Sequence, residues 1–151
     1  MASKPVLHIV VGSVTGTALA AAKALRTELE RDYTIVFHEY ATLDDIVVQP
    51  NQTLLFCVSN TGEGELSPWM RRIHVQLTER HYDMTGHQYL LINFGDSRYK
   101  AFGLAGQTLD TALKFSHAIP LSDILTLDAF KATPADTPLY EWVLSGLKNA
   151  K

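Results

Sequence analysis

Three short segments of this 151-residue chain combine glycine with hydroxyl or carboxylate side chains, a pattern that suits ligand binding. The first segment, residues 12–17, reads Gly-Ser-Val-Thr-Gly-Thr. A glycine-rich turn exposes backbone N–H groups, and short hydroxyls add further donors, so this segment can hold a phosphate without a basic side chain. The same residues could instead form only a helix cap.

The residue types at positions 12–17 exclude two common nucleotide-binding motifs. A nucleoside triphosphate loop requires a lysine directly after its last glycine, and this chain has Thr17 there. A dinucleotide motif requires a glycine two residues after the first, and this chain has Val14 there. The segment therefore favours a single phosphate monoester.

The second and third segments are residues 59–65, Ser-Asn-Thr-Gly-Glu-Gly-Glu, and residues 93–99, Asn-Phe-Gly-Asp-Ser-Arg-Tyr. Each of the three segments follows or completes an apolar run that predicts a buried strand. In a parallel sheet, ligands bind at the carboxyl ends of the strands. We therefore expect the three segments to meet at one edge of a sheet.

The elements that must position these segments follow from hydropathy. Apolar runs predict five strands, at residues 6–11, 34–39, 53–59, 89–94 and 124–128. Segments with apolar residues at helical spacing predict helices at residues 16–31, 67–80, 104–116 and 138–149. Alternating strands and helices are typical of an α/β fold with a parallel sheet covered on both faces. The length predicts a single domain over residues 1–151.

Composition narrows the classes of function. The net charge is −3 and no stretch forms a basic stripe, so nucleic acid is not an expected partner. No apolar run is long enough to span a membrane, which predicts a cytoplasmic protein. The six histidines lack metal-ligand spacing, and Cys57, within an apolar run, is predicted to be a core residue. Trp69, at the start of a helical segment, is also expected to pack in the core.

Acidic residues are concentrated in one stretch of the chain. From Asp32 to Met70 there is no Lys or Arg, whereas Glu39, Asp44, Asp45, Glu63 and Glu65 lie in that stretch. These carboxylates are either ordinary solvated surface charges or an acidic patch that steers a basic partner.

Three motifs resemble those of the flavodoxin family, particularly its short-chain members of the MioC and YqcA type. They are S-x-T-G-x at residues 13–17, T-G-E-G-[DE] at residues 61–65 and G-D-S-x-Y-x-x-F at residues 95–102, followed by A-G-x-x-L-D at residues 105–110. The resemblance implies a flavodoxin-like three-layer sandwich, with a five-stranded parallel sheet in the order 2-1-3-4-5 and helices on both faces. It also implies flavin mononucleotide (FMN) as the cofactor.

The resemblance implies that the first segment holds the FMN phosphate and that the flavin ring lies between the second and third segments, stacked on Tyr99. It implies no catalytic residue and no metal. The expected cofactor-binding residues are Ser13, Val14, Thr15, Gly16, Thr17, Ser59, Asn60, Thr61, Gly62, Glu63, Gly64, Asn93, Phe94, Gly95, Asp96, Tyr99, Phe102 and Gly103.

The function that the resemblance implies is a low-potential one-electron carrier rather than an enzyme. As a monomer, the carrier would dock transiently with a donor similar to flavodoxin/ferredoxin–NADP reductase and with an acceptor redox enzyme. One alternative is an FMN-dependent NAD(P)H reductase of the quinone or nitro type. Another is a redox-inactive interaction module that binds FMN weakly, because Ala18 and Thr61 stand where the family usually has a hydroxyl and often an aromatic residue.

Overall fold

The computed structural model describes residues 3–13, 16–59, 64–96, 98, 103–128 and 138–150. Strands and helices alternate along these residues, as predicted. The strands are β1 (Val6–Gly12), β2 (Thr34–His38), β3 (Thr53–Ser59), β4 (Gln88–Gly95), β5 (Ile119–Pro120) and β6 (Leu125–Asp128). The helices are α1 (Thr17–Leu29), α2 (Leu43–Ile46), α3 (Pro68–Thr78), α4 (Leu104–Phe115) and α5 (Leu139–Leu147).

The strands form one sheet in which every described pairing is parallel. Its order is β2-β1-β3-β4-β5, with β6 also paired to β4. The predicted order 2-1-3-4-5 is therefore confirmed, with β5 and β6 together occupying the fifth position.

The fifth strand is interrupted, whereas the sequence predicted only its second part. Pro120 lies opposite Tyr89 and Leu125 opposite Ile92, so residues 121–124 of the edge face only residues 90–91 of β4. The two extra residues leave the hydrogen-bonded ladder, which is a bulge of the kind found at sheet edges. A proline in the first part is tolerated because an edge strand does not need every N–H group.

Helices cover both faces of the sheet, which confirms the three-layer architecture. On one face α1 and α5 bury apolar residues against the sheet, including Leu25 and Val143. On the other face α2, α3 and α4 do so, including Ile46, Ile73 and Leu109. Cys57 is fully buried, as predicted, and burial raises the pKa of its thiol to about 12.

Helix α2 was not expected from the sequence. It has four residues, too few for a recognisable helical period, and it begins with local hydrogen bonds: the backbone N–H of Thr42 donates to the Asp45 carboxylate at 3.1 Å. A contact distant in sequence fixes its position, because the Leu43 N–H donates to Oε1 of Gln76 in α3 at 2.8 Å.

Candidate cofactor site

Strand register brings the three predicted segments to the same edge of the sheet. Gly12 of β1 pairs with Val58 of β3, and Val58 pairs with Asn93 of β4. The chain therefore leaves these three neighbouring strands at the same level. Because adjacent strands are about 4.8 Å apart, the first and third segments start about 10 Å from each other.

The first segment ends in a turn that prepares the start of α1. Gly16 caps the helix with φ +95°, a left-handed conformation that glycine adopts without strain, and its N–H donates to Ser13 Oγ at 2.9 Å. The first-turn N–H groups of a helix have no acceptor within the helix, and no acidic side chain lies in the first turn of α1. Both features, and the helix dipole, favour an anion at this helix start.

Space at the helix start also fits a phosphate group. A methyl group added at Gly16 would meet no heavy atom of the described residues within 4 Å. Ala18, by contrast, is fully buried and packs into the apolar cluster between α1 and the sheet. Its side chain is thus part of the core. Among the described residues of this turn, the donors that an anion would meet are backbone N–H groups and the hydroxyls of Ser13 and Thr17.

The second segment joins β3 to α3. Ser59 is buried at the end of β3, and Gly64 is buried with φ +84°. Glu65 forms an ion pair with Arg71 of α3, with 3.1 Å between Oε2 and Nη2. The predicted residues Asn60, Thr61, Gly62 and Glu63 lie outside the described residues.

The third segment is tied to α4 by a buried amide. Nδ2 of Asn93 donates to the carbonyl oxygen of Gly103 at 2.9 Å, and Gly103 caps α4 with φ +76°. The chain therefore leaves β4 and returns to the same place at the start of α4. Oδ1 of Asn93 is buried without a hydrogen-bond partner among the described residues.

The side chains of Asn93 and Phe94 are turned away from the sheet edge. Asn93 is fully buried beneath α4, and Phe94 is 4% exposed in the cluster shared with α1 and α5. Of the two, only backbone groups are placed where a ligand at the edge could reach them. Asn93 therefore acts on the site by holding the third segment.

Asp96 lies at the edge with its charge balanced by Arg98. The guanidinium donates from Nε to Oδ1 at 3.0 Å and from Nη2 to Oδ2 at 2.6 Å, and the Arg98 N–H also donates to Oδ1 at 3.0 Å. These hydrogen bonds hold the pKa of Asp96 below its usual range, so the carboxylate remains ionised at neutral pH.

The structure thus brings many of the predicted cofactor-binding residues to one edge, namely Ser13, Gly16, Thr17, Ser59, Gly64, Asn93, Phe94, Gly95, Asp96 and Gly103. Val14, Thr15, Tyr99 and Phe102, with the residues of the second segment named above, lie outside the described part of the chain. Whether each residue contacts a cofactor stays a prediction.

Sequence reasoning missed that Tyr40 joins Trp69 in an aromatic cluster beside the first segment. Trp69, expected in the core, is only half-buried, and it lies beside Tyr40, with 6.2 Å between ring centroids, and beneath the Arg72 guanidinium at 4.3 Å. Tyr40 and Trp69 line a cavity of about 390 Å³ that also contacts Ser13 and Gly16. Tyr40 is 29 residues from Trp69 in the chain, so local spacing gave no signal.

Among the described residues, no three His, Cys, Asp or Glu side chains are grouped as a metal ion would require. No helix in the described part of the chain is long and apolar enough to cross a membrane.

The parallel order 2-1-3-4-5, with a glycine-capped helix starting between β1 and its neighbour β3, defines a doubly wound α/β protein of the nucleotide-binding class. The flavodoxin family profile matches residues 9–137. The chain belongs to the flavodoxin family, and within it resembles the short-chain MioC and YqcA proteins.

Individual relatives agree with this assignment. Flavodoxin YqcA of Pectobacterium carotovorum is 31% identical over 138 residues, which cover 91% of each chain. A MioC homolog of Haemophilus influenzae is 25% identical over 96% of this chain and all of that protein. NADPH-dependent diflavin oxidoreductase 1 of Schizosaccharomyces pombe is 31% identical over 72% of this chain, which corresponds to 19% of its own length. A solved flavodoxin variant from Pseudomonas aeruginosa has the same fold, with a TM-score of 0.84 at 23% identity over 96% of this chain and 98% of that one.

The cofactor of this family is FMN, which supplies a ring that accepts and releases electrons. The residues described at the sheet edge fit its phosphate, because α1 begins with an uncrowded glycine turn, a hydroxyl on Ser13 and no acidic side chain in its first turn. The chain is thus an FMN-binding electron-transfer protein of the flavodoxin type.

Proposed function

We propose that this protein is a low-potential carrier of single electrons in the cytoplasm. It would receive electrons from a donor similar to flavodoxin/ferredoxin–NADP reductase and pass them to an acceptor redox enzyme, docking with each transiently as a monomer. The observation that supports this proposal most directly is the start of α1, where the left-handed Gly16 turn, held by Ser13 Oγ, lies next to the ends of β3 and β4 and suits a phosphate.

Several features favour a carrier over a reductase that acts on NAD(P)H by itself. The connection from β4 to α4 is only residues 96–103, and Asn93 ties its end to α4, so it adds little chain that could enclose a second substrate over the flavin. The similarity to part of a longer NADPH-dependent diflavin oxidoreductase supports a separate reductase as the donor for this chain.

The chain's own residues also favour FMN binding over a redox-inactive module. Ala18 removes one hydroxyl, but its backbone N–H remains in the first turn of α1, where an anion is favoured. The ionised Asp96 beside the proposed ring position disfavours added negative charge, which supports a low potential, and Arg98 offsets part of this effect.

FMN titration and a reductase assay test this proposal. Purified protein should quench FMN fluorescence with a stoichiometry of one and acquire the absorption of a bound flavin. NADPH should reduce the bound FMN only after a catalytic amount of an NADP-dependent flavodoxin reductase is added. A protein that leaves FMN fluorescence unchanged would refute the proposal, and rapid turnover with NADPH alone would favour the reductase alternative.

The predicted stacking residue provides a sharper test of the site. Tyr99→Ala should weaken FMN binding about tenfold, because an aromatic contact and its buried area are lost. Phe115→Ala is the matched control, because Phe115 is 60% exposed at the far end of α4 and should leave the dissociation constant unchanged. Equal FMN affinity of wild type and Tyr99→Ala would show that Tyr99 does not contact the ring.

A further inference from the structure

A groove rich in arginine lies along the outer side of α3. It has a volume of about 560 Å³ and is bounded on one side by Arg71, Arg72 and Arg80, and on the other by Thr42 and Asp44, where β2 leads into α2. We refer to it as the α3 groove. Its lining residues include three arginines and one carboxylate, Asp44, so their net charge is positive even though Arg71 is paired with Glu65.

Two of these arginines have no counter-ion in the described part of the chain. Neither Arg72 nor Arg80 has a described carboxylate within 4.0 Å. Arg72 is held instead by Trp69, with its guanidinium 4.3 Å from the ring centroid. Stacking of this kind fixes the guanidinium while leaving its in-plane N–H donors available to an oxygen ligand.

The third arginine is held weakly by its internal partner. The side chains of Arg71 and Glu65 are 57% and 62% exposed, and solvent-exposed ion pairs contribute little to stability. A carboxylate brought by another molecule can therefore compete for Arg71 at small cost. All three cations can then contribute to binding.

The opposite wall of the groove is fixed in place. Gln76 uses both ends of its amide: Oε1 accepts the Leu43 N–H at 2.8 Å, and Nε2 donates to Asp44 Oδ2 at 3.1 Å. These hydrogen bonds hold the start of α2 against α3. The groove is thus built by two elements, and its shape does not depend on a ligand.

We infer that the α3 groove is a docking surface for an acidic segment of a redox partner protein. This inference rests on the proposed carrier function. Helix α3 is about 15 Å long from Pro68 to Thr78, which matches about five residues of an extended chain. Because α3 begins directly after the second segment, a partner docked there would lie beside the proposed flavin site.

The inferred charge of this partner is opposite to the one considered from the sequence. The acidic stretch before α3 suggested a basic partner, but Glu65 pairs with Arg71, Asp44 accepts from Gln76, and Asp45 accepts from the Thr42 N–H. Each of these three carboxylates thus has a hydrogen-bond donor within the chain, and arginines lie beside them in the α3 groove.

Fluorescence anisotropy with the FMN-loaded protein tests the inference. Labelled hexaglutamate should bind the wild type more tightly than labelled hexaglutamine of the same length, and its affinity should fall as salt is raised. The double variant Arg72→Gln/Arg80→Gln should weaken hexaglutamate binding about tenfold. Arg31→Gln, which removes an exposed arginine outside the groove, is the matched control and should leave the affinity unchanged.

Three outcomes would overturn the inference. The first is that hexaglutamate binds no better than hexaglutamine. The second is that Arg31→Gln weakens hexaglutamate binding as much as the double variant does. The third is that inorganic phosphate, added at the same total concentration of negative charge as the peptide, displaces the peptide fully, because that result indicates a general anion site. FMN titration of each variant separates the two proposals. If the wild-type protein does not bind FMN, the proposed carrier function is contradicted. If it binds FMN but not hexaglutamate, only the docking surface is contradicted.

Discussion

Two glycines near the site are required for different physical reasons. Gly16 has φ +95°, and no heavy atom of the described residues would lie within 4 Å of a Cβ there, so its backbone conformation is what disfavours other residues. Gly106 has ordinary helical geometry, but a Cβ there would lie 2.6 Å from Cβ of Asn93 and closer still to its Cγ. At this position the backbone of α4 packs directly against the Asn93 side chain of β4, so there is no room for a side chain on residue 106.

Gly106→Ala should lower the free energy of unfolding by about 1 to 3 kcal/mol, because Asn93 is fully buried and held by its bond to Gly103. Gly146→Ala is the comparison, since its Cβ would meet Cδ2 and Cδ1 of Leu90 at 2.6 and 2.9 Å, atoms at the end of a side chain that can rotate. We expect the smaller loss there, measured by urea denaturation. Equal losses of the free energy of unfolding in the two variants would contradict the view that the Asn93 side chain cannot move away from a Cβ at position 106.

At the scale of elements, β4 and α4 are joined by buried polar contacts as well as by apolar packing. The Tyr89 hydroxyl donates a hydrogen bond to Asp110 Oδ1 at 2.6 Å, and Nζ of Lys114 forms an ion pair with Asp110 Oδ2 at 3.0 Å. Nearer the site, the Asn93 amide reaches the helix cap at Gly103. These contacts set where α4 begins and therefore where the third segment returns.

Asn93→Asp tests the contact nearest the site. The carboxylate keeps the shape of the amide but cannot donate to the Gly103 carbonyl, so we expect the free energy of unfolding to fall by about 1 to 3 kcal/mol. We also expect FMN affinity to fall about tenfold, because the third segment is released at one end.

Gln107→Glu is the charge-matched control for Asn93→Asp. It adds the same negative charge near the start of α4 on an exposed side chain, without changing the donor to Gly103. If both variants weaken FMN binding equally, charge rather than the lost hydrogen bond is responsible, and Asn93 does not position the segment.

At the scale of the whole molecule, buried histidines make the fold sensitive to acid. His8 Nδ1 and His38 Nε2 are 3.0 Å apart, and His8 is 5% exposed. Burial, together with the nearby His38 and His87, lowers the pKa of His8 from 6.5 to about 4, and burial also lowers the pKa values of His38 and His87. Protonation therefore favours the unfolded chain.

Stability should decrease as the pH falls from 7 to 5. His8 has a pKa of about 4 in the folded protein and about 6.5 in the unfolded chain. Between these pH values the unfolded chain binds more protons, so the contribution of His8 to the free energy of unfolding is highest above pH 6.5 and falls as the pH decreases from 6.5 to 4. For His8 alone the loss by pH 5 is about 1 to 2 kcal/mol. Urea denaturation at both pH values should show a reduced difference in His8→Gln and the full difference in the control His74→Gln. An unchanged difference in His8→Gln contradicts this assignment.

Strands β1, β3 and β4 could be predicted from the sequence because they are buried on both faces and therefore appear as continuous apolar runs. Strand β2 lies at the opposite edge of the sheet and was predicted from its alternating pattern instead. The fifth strand is at the edge, where Ile119 and Pro120 are exposed, so its first part carries no such pattern. Helix α2 has four residues, and its position depends on Gln76, which lies 33 residues after Leu43.

The sequence by itself determined the alternation of strands and helices, the segments at the ends of β1, β3 and β4, and the family to which they belong, because these depend on residue type and local spacing. Only the tertiary structure decided that the Asn93 amide reaches Gly103, that Asp44, Asp45 and Glu65 have hydrogen-bond partners within the chain, and that arginines line a groove along α3. Those outcomes depend on which distant side chains packing brings within a few ångströms, and local spacing does not encode such distances.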